Sequence, residues 1–587
     1  MSSIFLKMEQ GVNNFNTYIQ KIEKHPLLTL IFTSLFLTLF FGSICYKLGL
    51  IYNENHSYFF DAVSYSYTNA KLSVLLETQN HWSLGVSEWL HNNRQPFRML
   101  YMLFFFPFLL GSEMGHLAFT LPILFLFLSL LGWTVFKRTQ SLIYSLATLL
   151  FFFSIKGLFS SHYGLIPNWL DAPSALLCGA GAFCLINAFE EKGYKWITGF
   201  ALLISLSFLS RFPAGFYATF MCGPVFLIYL YDRFKKYPSN PSYLWKPLIL
   251  SISITGILCS YFAIAHGKNV LEFYRVYGYA LNHGTPAAIE FGTKVISRVL
   301  GSYLFVIFII VFIFNLFTRR SQKINWLGFF VIFWLGISHL IFNIMINQVT
   351  EGYGTFAWAL PPLFLLAVAP CKNKQTTPLK LNLKPFSWFA ILFSLTAFFL
   401  IGRNIRSHYY KATHPNLGHY ERQKTFSKIG VLLSSQKDNT IWNAYFDEIS
   451  WIPTMESFYR SGKWIMPAGQ DYFFSKHVSV WKGNYPHLSS QEMAISSFKN
   501  TSKWVHLALV FQSPDSALSH FKNKHSKAVA YYYSTHMPND PQWKKITSIS
   551  TERYGMIDAY KNLNIQDSTG FTKLMHNIPL RLPTFEN

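Results

Sequence analysis

The chain has 587 residues, of which 51% are hydrophobic, 18% aromatic and only 13% charged, with a formal charge of +23. Uncharged runs of membrane-spanning length recur along it, which excludes an ordinary water-soluble globular protein and points to an integral membrane protein. No nucleic-acid-binding motif accompanies the basic charge, and about half of that charge is accounted for by membrane topology.

Residues 1–26 form an arm carrying Lys7, Lys21 and Lys24. Leu27 to Tyr46 contains no charge, is too long for a typical signal-peptide core, and is not followed by a small-residue cleavage motif; it is expected to be a retained first span. Further uncharged or nearly uncharged stretches lie at 116–135, 141–159, 172–189, 196–210, 212–231, 247–265, 299–317, 326–347, 356–371 and 385–402. With the first, they predict about eleven membrane helices in residues 27–402. Between the first two lies an outer loop, 51–98, long enough to be structured, and Met99–Leu110 is too short to span and is expected to lie along the interface.

Short loops rich in Lys and Arg stay cytoplasmic. Lys137-Arg138, Lys192 and Lys195, Arg233 to Lys246, Arg319 to Lys323 and Lys372 to Lys384 fall on one side with the N-terminal arm, so the N-terminus is expected inside. An odd number of spans then puts 403–587 outside, in a periplasm or equivalent lumen, with the inner membrane of a bacterium as the expected location. Its mixed polar, aromatic and charged composition predicts a soluble α/β domain. Strand-like runs are expected at 440–446, 504–511 and 528–534, and helix-like stretches near 419–435, 490–499 and 514–524. All six cysteines lie in or at the ends of predicted spans, so this domain has none to oxidise, and none of them shows zinc-like Cys/His clustering.

The residues that point to chemistry sit at the predicted outer surface. Asp61 lies in Tyr58-Phe-Phe-Asp-Ala-Val-Ser-Tyr65, and Arg94-Gln-Pro-Phe-Arg98 leads into the apolar stretch that ends at Gly111, followed by Ser-Glu113-Met-Gly-His. Leu170-Asp171-Ala-Pro opens one span, Ser210-Arg211-Phe-Pro213 joins two others, and Gly352-Tyr353-Gly-Thr-Phe-Ala-Trp-Ala-Leu-Pro-Pro362 opens a late one. In this order the motifs resemble the GT-C-type polytopic membrane glycosyltransferases that use polyprenyl-phosphate sugars, a group that includes the aminoarabinose transferases of lipid A and the protein mannosyltransferases. The chain departs from that pattern in having Ala62 after the first acid, Asn93 before Arg94, and Phe212 where a Gly is common. These departures bear on the sugar and the acceptor more than on the reaction class.

The resemblance implies an α-helical polytopic membrane enzyme with a polyprenyl-phosphate-linked sugar donor, a lipid, glycan or protein acceptor, membrane lipids as surroundings, and no nucleic-acid partner. Independently of it, such a transfer breaks the bond from anomeric carbon to phosphate oxygen. The leaving group is a stable anion that needs positive charge more than an acid. Arg94, Arg98 and Arg211 lie where a lipid phosphate would sit, Asp61 is placed to take the acceptor's proton, with inversion at the anomeric carbon, and Asp171 is the second candidate catalytic carboxylate, expected to help orient the acceptor.

Each assignment has a structural alternative. Asp61 and Asp171 are equally suited to cap helices beginning beside them, and Arg211 to reach the interface from a span end. His283, Tyr353, Glu351 and His162 are candidate substrate contacts, or ordinary interfacial polar and aromatic side chains. The sequence requires no cofactor and compels no metal site, leaving a divalent metal open. A transporter or lipid flippase and a non-catalytic glycan-assembly subunit remain as alternative functions.

Overall fold

The computed structural model describes residues 25–56, 113–161, 163–165, 171–191, 193–238, 242–280, 298–301, 353–368, 383–437, 440–444, 451–461, 465–467, 505–520 and 524–565, with Phe97, Trp334, Glu492 and Ile495. The chain divides into two compact units. One comprises Met1–Leu48, Asn93–Tyr101 and His116–His408, and the other Gly49–Asn92, Met102–Gly115 and Tyr409–Asn587.

The first unit is helical. Its elements are α1 (Pro26–Asn55), α2 (Glu113–Thr139), α3 (Leu142–Phe152), α4 (Asp171–Glu190), α5 (Lys195–Ser210), α6 (Phe212–Lys236), α7 (Ser242–Ala280), α8 (Leu360–Val368) and α9 (Leu383–Thr413), with 3-10 turns at Lys156–Phe159 and Tyr353–Ala359. The last residues of α1 and α9 and the first three of α2 are counted with the second unit. Five stretches among the described residues are long and apolar enough to cross a membrane, in α1, α2, α4, α6 and α7. That is the pattern of a multi-pass membrane protein.

In a bilayer, hydrophobicity does not tell the inward face of a helix from the outward one; side-chain size and shape do. On α1, Leu30, Ser34, Leu37, Phe41, Cys45, Leu48 and Tyr52 are buried at helical spacing, whereas Leu28, Phe32, Phe36 and Leu39 are exposed. α7 turns Ile249, Ile252, Ile257 and Ile264 outward. α4 is buried almost throughout, and its Ala, Gly and Ser residues make this possible. A methyl group on Gly179 would come within 2.7 Å of the Phe127 ring on α2.

Two expected spans take a different form. The stretch 141–159 is helical only over α3, about 16 Å long at 1.5 Å per residue, against a hydrocarbon core of about 30 Å. Phe153 ends that helix by donating its N–H to Leu150 O at 3.0 Å, and Ser154 donates both its N–H, at 3.0 Å, and its hydroxyl, at 2.6 Å, to Phe151 O. The chain then enters the 3-10 turn. The stretch 356–371 likewise begins as 3-10 and becomes α-helical only at Leu360. The two short helices meet, with Tyr144 donating its hydroxyl to Leu365 O at 3.0 Å. Stretches 299–317 and 326–347 and the interfacial segment 99–110 lie outside the described residues but for Val299 to Gly301 and Trp334.

The second unit contains α10 (Leu417–Ser434), β1 (Ile441–Ala444), α11 (Trp451–Ser461), β2 (Met466–Pro467), β3 (Leu507–Phe511), α12 (Pro514–Leu518), α13 (Lys524–His536), β4 (Trp543–Thr551) and β5 (Gly555–Asn562). The strands form one sheet in the order β2-β1-β3-β5-β4. β1 runs parallel to β2 and β3, while β5 pairs antiparallel with β3, Leu507 opposite Lys561, and with β4. β3, Leu-Ala-Leu-Val-Phe, is buried at every residue, as expected of a central strand covered on both faces. Residues 528–534 are not a strand: they belong to α13. Ala530, Tyr533 and Met537 are buried at three- and four-residue spacing while Tyr531 is exposed, which is helical and not alternating periodicity.

α10 and α11 enclose a buried carboxyl. Glu456 is 8% exposed, and its Oε1 accepts a hydrogen bond from Gln423 Nε2 at 3.0 Å. The same Gln423 amide nitrogen donates to Asn53 O in the last turn of α1, satisfying a carbonyl that the helix leaves open. His56 Nε2 meets Lys411 O at 2.9 Å, and its ring stacks on Tyr52.

Candidate functional site

The described part of the site is built where α4 begins and α5 turns into α6. Asp171 is the first residue of α4, where a carboxylate is favoured by the helix dipole. Arg211 is the single extended residue between α5 and α6, with φ −154° and ψ 120°. Pro213 follows within the first turn of α6, where its missing N–H costs no helical hydrogen bond. The Arg211 N–H donates to Ser207 O at 3.1 Å, and the Arg211 carbonyl accepts from Ala214 N at 2.9 Å, so its backbone is held at both ends.

The two side chains meet. Arg211 Nε lies 3.1 Å from Asp171 Oδ1, with the carboxylate side chain 2% exposed and the guanidinium side chain 16%. One turn further in, Ser207 Oγ donates to Ser174 O at 2.7 Å and fixes α5 against α4. Tyr217 of α6, within reach of Asp171's charge, stacks face to face on Phe356 of the 3-10 turn, with centroids 4.1 Å apart and planes 2° from parallel. The segment Tyr353–Ala359 therefore comes to the same end of α4, and Phe356 and Trp358 are both buried there.

The other end of α4 has the opposite character. Arg233 of α6 donates to the carbonyls of Ala188 and Glu191, closing the helix C-terminus. Lys137 and Lys195 pair with Glu191 at 3.2 and 2.8 Å, and Arg138 pairs with Glu190 at 3.6 Å.

Of the residues expected from the sequence, Asp171 and Arg211 are thus brought together. Tyr353 is placed by its main chain at the start of the 3-10 turn. Asp61, Arg94, Arg98, His162, His283 and Glu351 lie outside the described residues. Tyr217 and Phe356 were missed. Their only sequence signal is proximity, six residues after Arg211 and three after Tyr353, which cannot be told from ordinary aromatic filling. Among the described residues no group of three or more His, Cys, Asp or Glu is placed to hold a metal ion.

An apolar bundle carrying a buried ion pair at one end and a cluster of basic side chains at the other defines a multi-pass membrane protein of a recognisable fold. ArnT from Cupriavidus metallidurans in the apo state superposes with a TM-score of 0.51 at 12% identity, over 89% of this chain and 97% of that one. The structure of the same protein bound to undecaprenyl phosphate aligns with a TM-score of 0.49 at 12% identity, over 90% and 98%. The fold is ArnT-like. The sequence matches no family model and no curated protein.

Proposed function

We propose that the protein is an inverting GT-C-type glycosyltransferase that moves a sugar from a polyprenyl-phosphate donor to a lipid, glycan or protein acceptor at the outer face of the inner membrane. The observation that carries this reading is the Asp171–Arg211 pair at the head of α4 in a chain of ArnT-like fold. The order of outer-face motifs from Asp61 to Pro362 points the same way.

In this reading the acceptor hydroxyl attacks the anomeric carbon as the bond from that carbon to the phosphate oxygen breaks. The bonding pair leaves with polyprenyl phosphate, and the hydroxyl proton passes to Asp61. Arg94, Arg98 and Arg211 stabilise the charge gathering on the phosphate, while His283, Tyr353, Glu351 and His162 are available to the sugar or acceptor. The sequence requires no cofactor and leaves a divalent metal open. About eleven spans, an inside N-terminus and an outer domain over 403–587 complete the topology. The basic cluster at the C-terminal end of α4 supports it, because such residues collect on the cytoplasmic side.

The test is mass spectrometry of lipids and glycans from cells lacking the protein, complemented with wild type or with Asp61→Asn. We expect a missing sugar restored by wild type alone, accumulation of the polyprenyl-phosphate sugar, and transfer by Asp61→Asn slower by about 100-fold or more. Full restoration by Asp61→Asn would remove the base, and an unchanged glycan profile would favour a transporter or an assembly subunit.

A further inference from the structure

Two helices finish their exposed faces in the same way. On α1 the exposed residues include Phe36, Phe40, Ser43 and Lys47, and on α9 they include Leu395, Phe399, Gly402 and Arg406. In each set the steps are four, three and four residues, which lines the side chains up within about 60° of one another around the helix. Each stripe is thus a bulky apolar pair, a small residue, and a cation about 10 Å beyond the second ring. Phe36 and Phe40 stack at 5.8 Å. Ser43 folds its hydroxyl back onto Leu39 O at 2.8 Å, and a Cβ added to Gly402 meets nothing within 4 Å, so each stripe is notched just before its cation.

The two helices run in the same sense past the turn that follows α3. Phe41 stacks on Phe153 and Cys45 donates to Leu158 O, while Phe393 meets Phe151 and Asn404 donates to Ser154 O. Lys47 and Arg406 therefore stand at one end of the bundle. It is the end away from Lys137 and Arg138, because α2 runs antiparallel to α1, with Leu121 against Gly42 and Leu30 against Gly132. The bias that gathers Lys and Arg at the cytoplasmic end does not account for cations at the other. Among the described residues neither cation forms an ion pair. Arg403, exposed beside Arg406, has interactions of its own within the protein and is not counted.

We propose that the two stripes bind anionic phospholipids of the bilayer, with acyl chains along the apolar pair and the headgroup phosphate on Lys47 or Arg406. Lipid is the neighbour of any outward apolar face in a membrane protein; what these stripes add is a preference for negative charge. A Lys or Arg beyond the last apolar turn lays its stem along the helix and carries its charge to the level of the phosphates. Each such cation is worth about fivefold in affinity for an anionic over a neutral headgroup. Phosphatidylcholine brings the same phosphate with a quaternary ammonium beside it, and so offers the cation no net charge. The small residue before each cation leaves room for the glycerol. The inference stands apart from the transfer reaction and from the residues assigned to it.

Photocrosslinking reads the preference helix by helix. Phosphatidylglycerol carrying a diazirine on the acyl carbons nearest the glycerol is activated in nanodiscs that hold the purified full-length protein, and the adducts are mapped by peptide mass spectrometry. Phosphatidylcholine with the same labelled chains is the comparison. We expect adducts on residues 36–47 and 395–406 to be about fivefold more abundant with the phosphatidylglycerol probe. Lys47→Gln should remove that excess on α1 alone, and Arg406→Gln on α9 alone, whereas Lys47→Arg and Arg406→Lys should keep it. Equal labelling of the wild type by the two probes, a comparison that needs no variant to fold, overturns the proposal. So does an excess that survives neutralisation of both cations, or one that the charge-keeping variants lose. Displacement of the label by polyprenyl monophosphate but not by excess unlabelled phosphatidylglycerol also overturns it, and would make the stripes a place for the donor lipid instead.

Discussion

Glu456→Gln should leave the stability of the protein unchanged near pH 4 and raise it by about 3 kcal/mol at pH 8. Burial between α10 and α11 pushes the Glu456 carboxyl up from its ordinary 4.5 to about 7, against the opposing pull of Arg460, Gln423 and Ser427. Arg460 lies on its own helix and donates to Ser427 Oγ at 3.1 Å, Gln423 and Ser427 come from α10, and β2, which also packs on α11, brings no ionisable side chain. Between the two values the folded state keeps a proton that the unfolded chain has released. Stability is therefore complete below about pH 4.5, falls as pH rises toward 7, and stays low above it.

Glutamine is neutral throughout, and its carbonyl can accept the Gln423 hydrogen bond as the carboxyl does, so the variant lacks the slope. Thermal melts of both proteins at pH 5 and pH 8 give the answer, since the other groups titrate alike in each and cancel in the difference. Parallel curves would mean that water reaches Glu456 and that the carboxyl is not held in an apolar setting. The same melts bear on how α1 ends, because Gln423 also holds Asn53 O.

The membrane bundle was legible in the sequence because a bilayer imposes a length of apolar chain, and five stretches of that kind are present among the described residues. What hydropathy does not see is where a helix stops. The stretch 141–159 is uncharged apart from Lys156, yet it breaks at Phe153 through hydrogen bonds from Phe153 N and Ser154 Oγ. Ser141 starts the same helix by accepting from Tyr144 N, the one boundary here with a readable sequence signal.

In the second unit the buried β3 is plain from Leu-Ala-Leu-Val-Phe. β4 is not, because most of its residues are exposed and the hydrophobic alternation that marks a strand is absent. α13 was misread because Ala-Val-Ala-Tyr-Tyr-Tyr has strand-forming composition, and its burial at three- and four-residue intervals is decided by what packs on it. The site shows the same division. Asp171 and Arg211 each stood out at a span end, but their pairing depends on α4 lying against α5, a contact between residues forty positions apart. Glu456 carried no signal, since a lone glutamate in a helix ordinarily faces water.

Gly164→Ala should prevent the first unit from folding normally, at a cost of about 3 kcal/mol or more, through a clash that has no inexpensive relief. A Cβ at this position would lie 2.3 Å from Ser160 O, 2.6 Å from Leu158 O and 2.8 Å from Ser160 N. All three are backbone atoms, so no rotamer change moves them. The two oxygens are also the acceptors that close the turn: Gly164 N donates to Ser160 O at 3.0 Å, and Leu165 N to Leu158 O at 3.0 Å. Swinging the carbonyls away from a methyl group breaks the hydrogen bonds that make the turn. Opening it displaces Leu158, Phe159 and Leu165, all buried. Leu158 O is in turn the acceptor of the Cys45 thiol of α1, at 3.7 Å, so the disturbance reaches a membrane helix over a hundred residues earlier in the chain. Gly193, whose added Cβ meets nothing within 4 Å, is the control: Gly193→Ala should express and melt like wild type. Fluorescence-detected size exclusion of tagged variants in detergent separates the two. A monodisperse Gly164→Ala protein with a wild-type melting temperature would show that the 158–165 turn can re-form around a side chain.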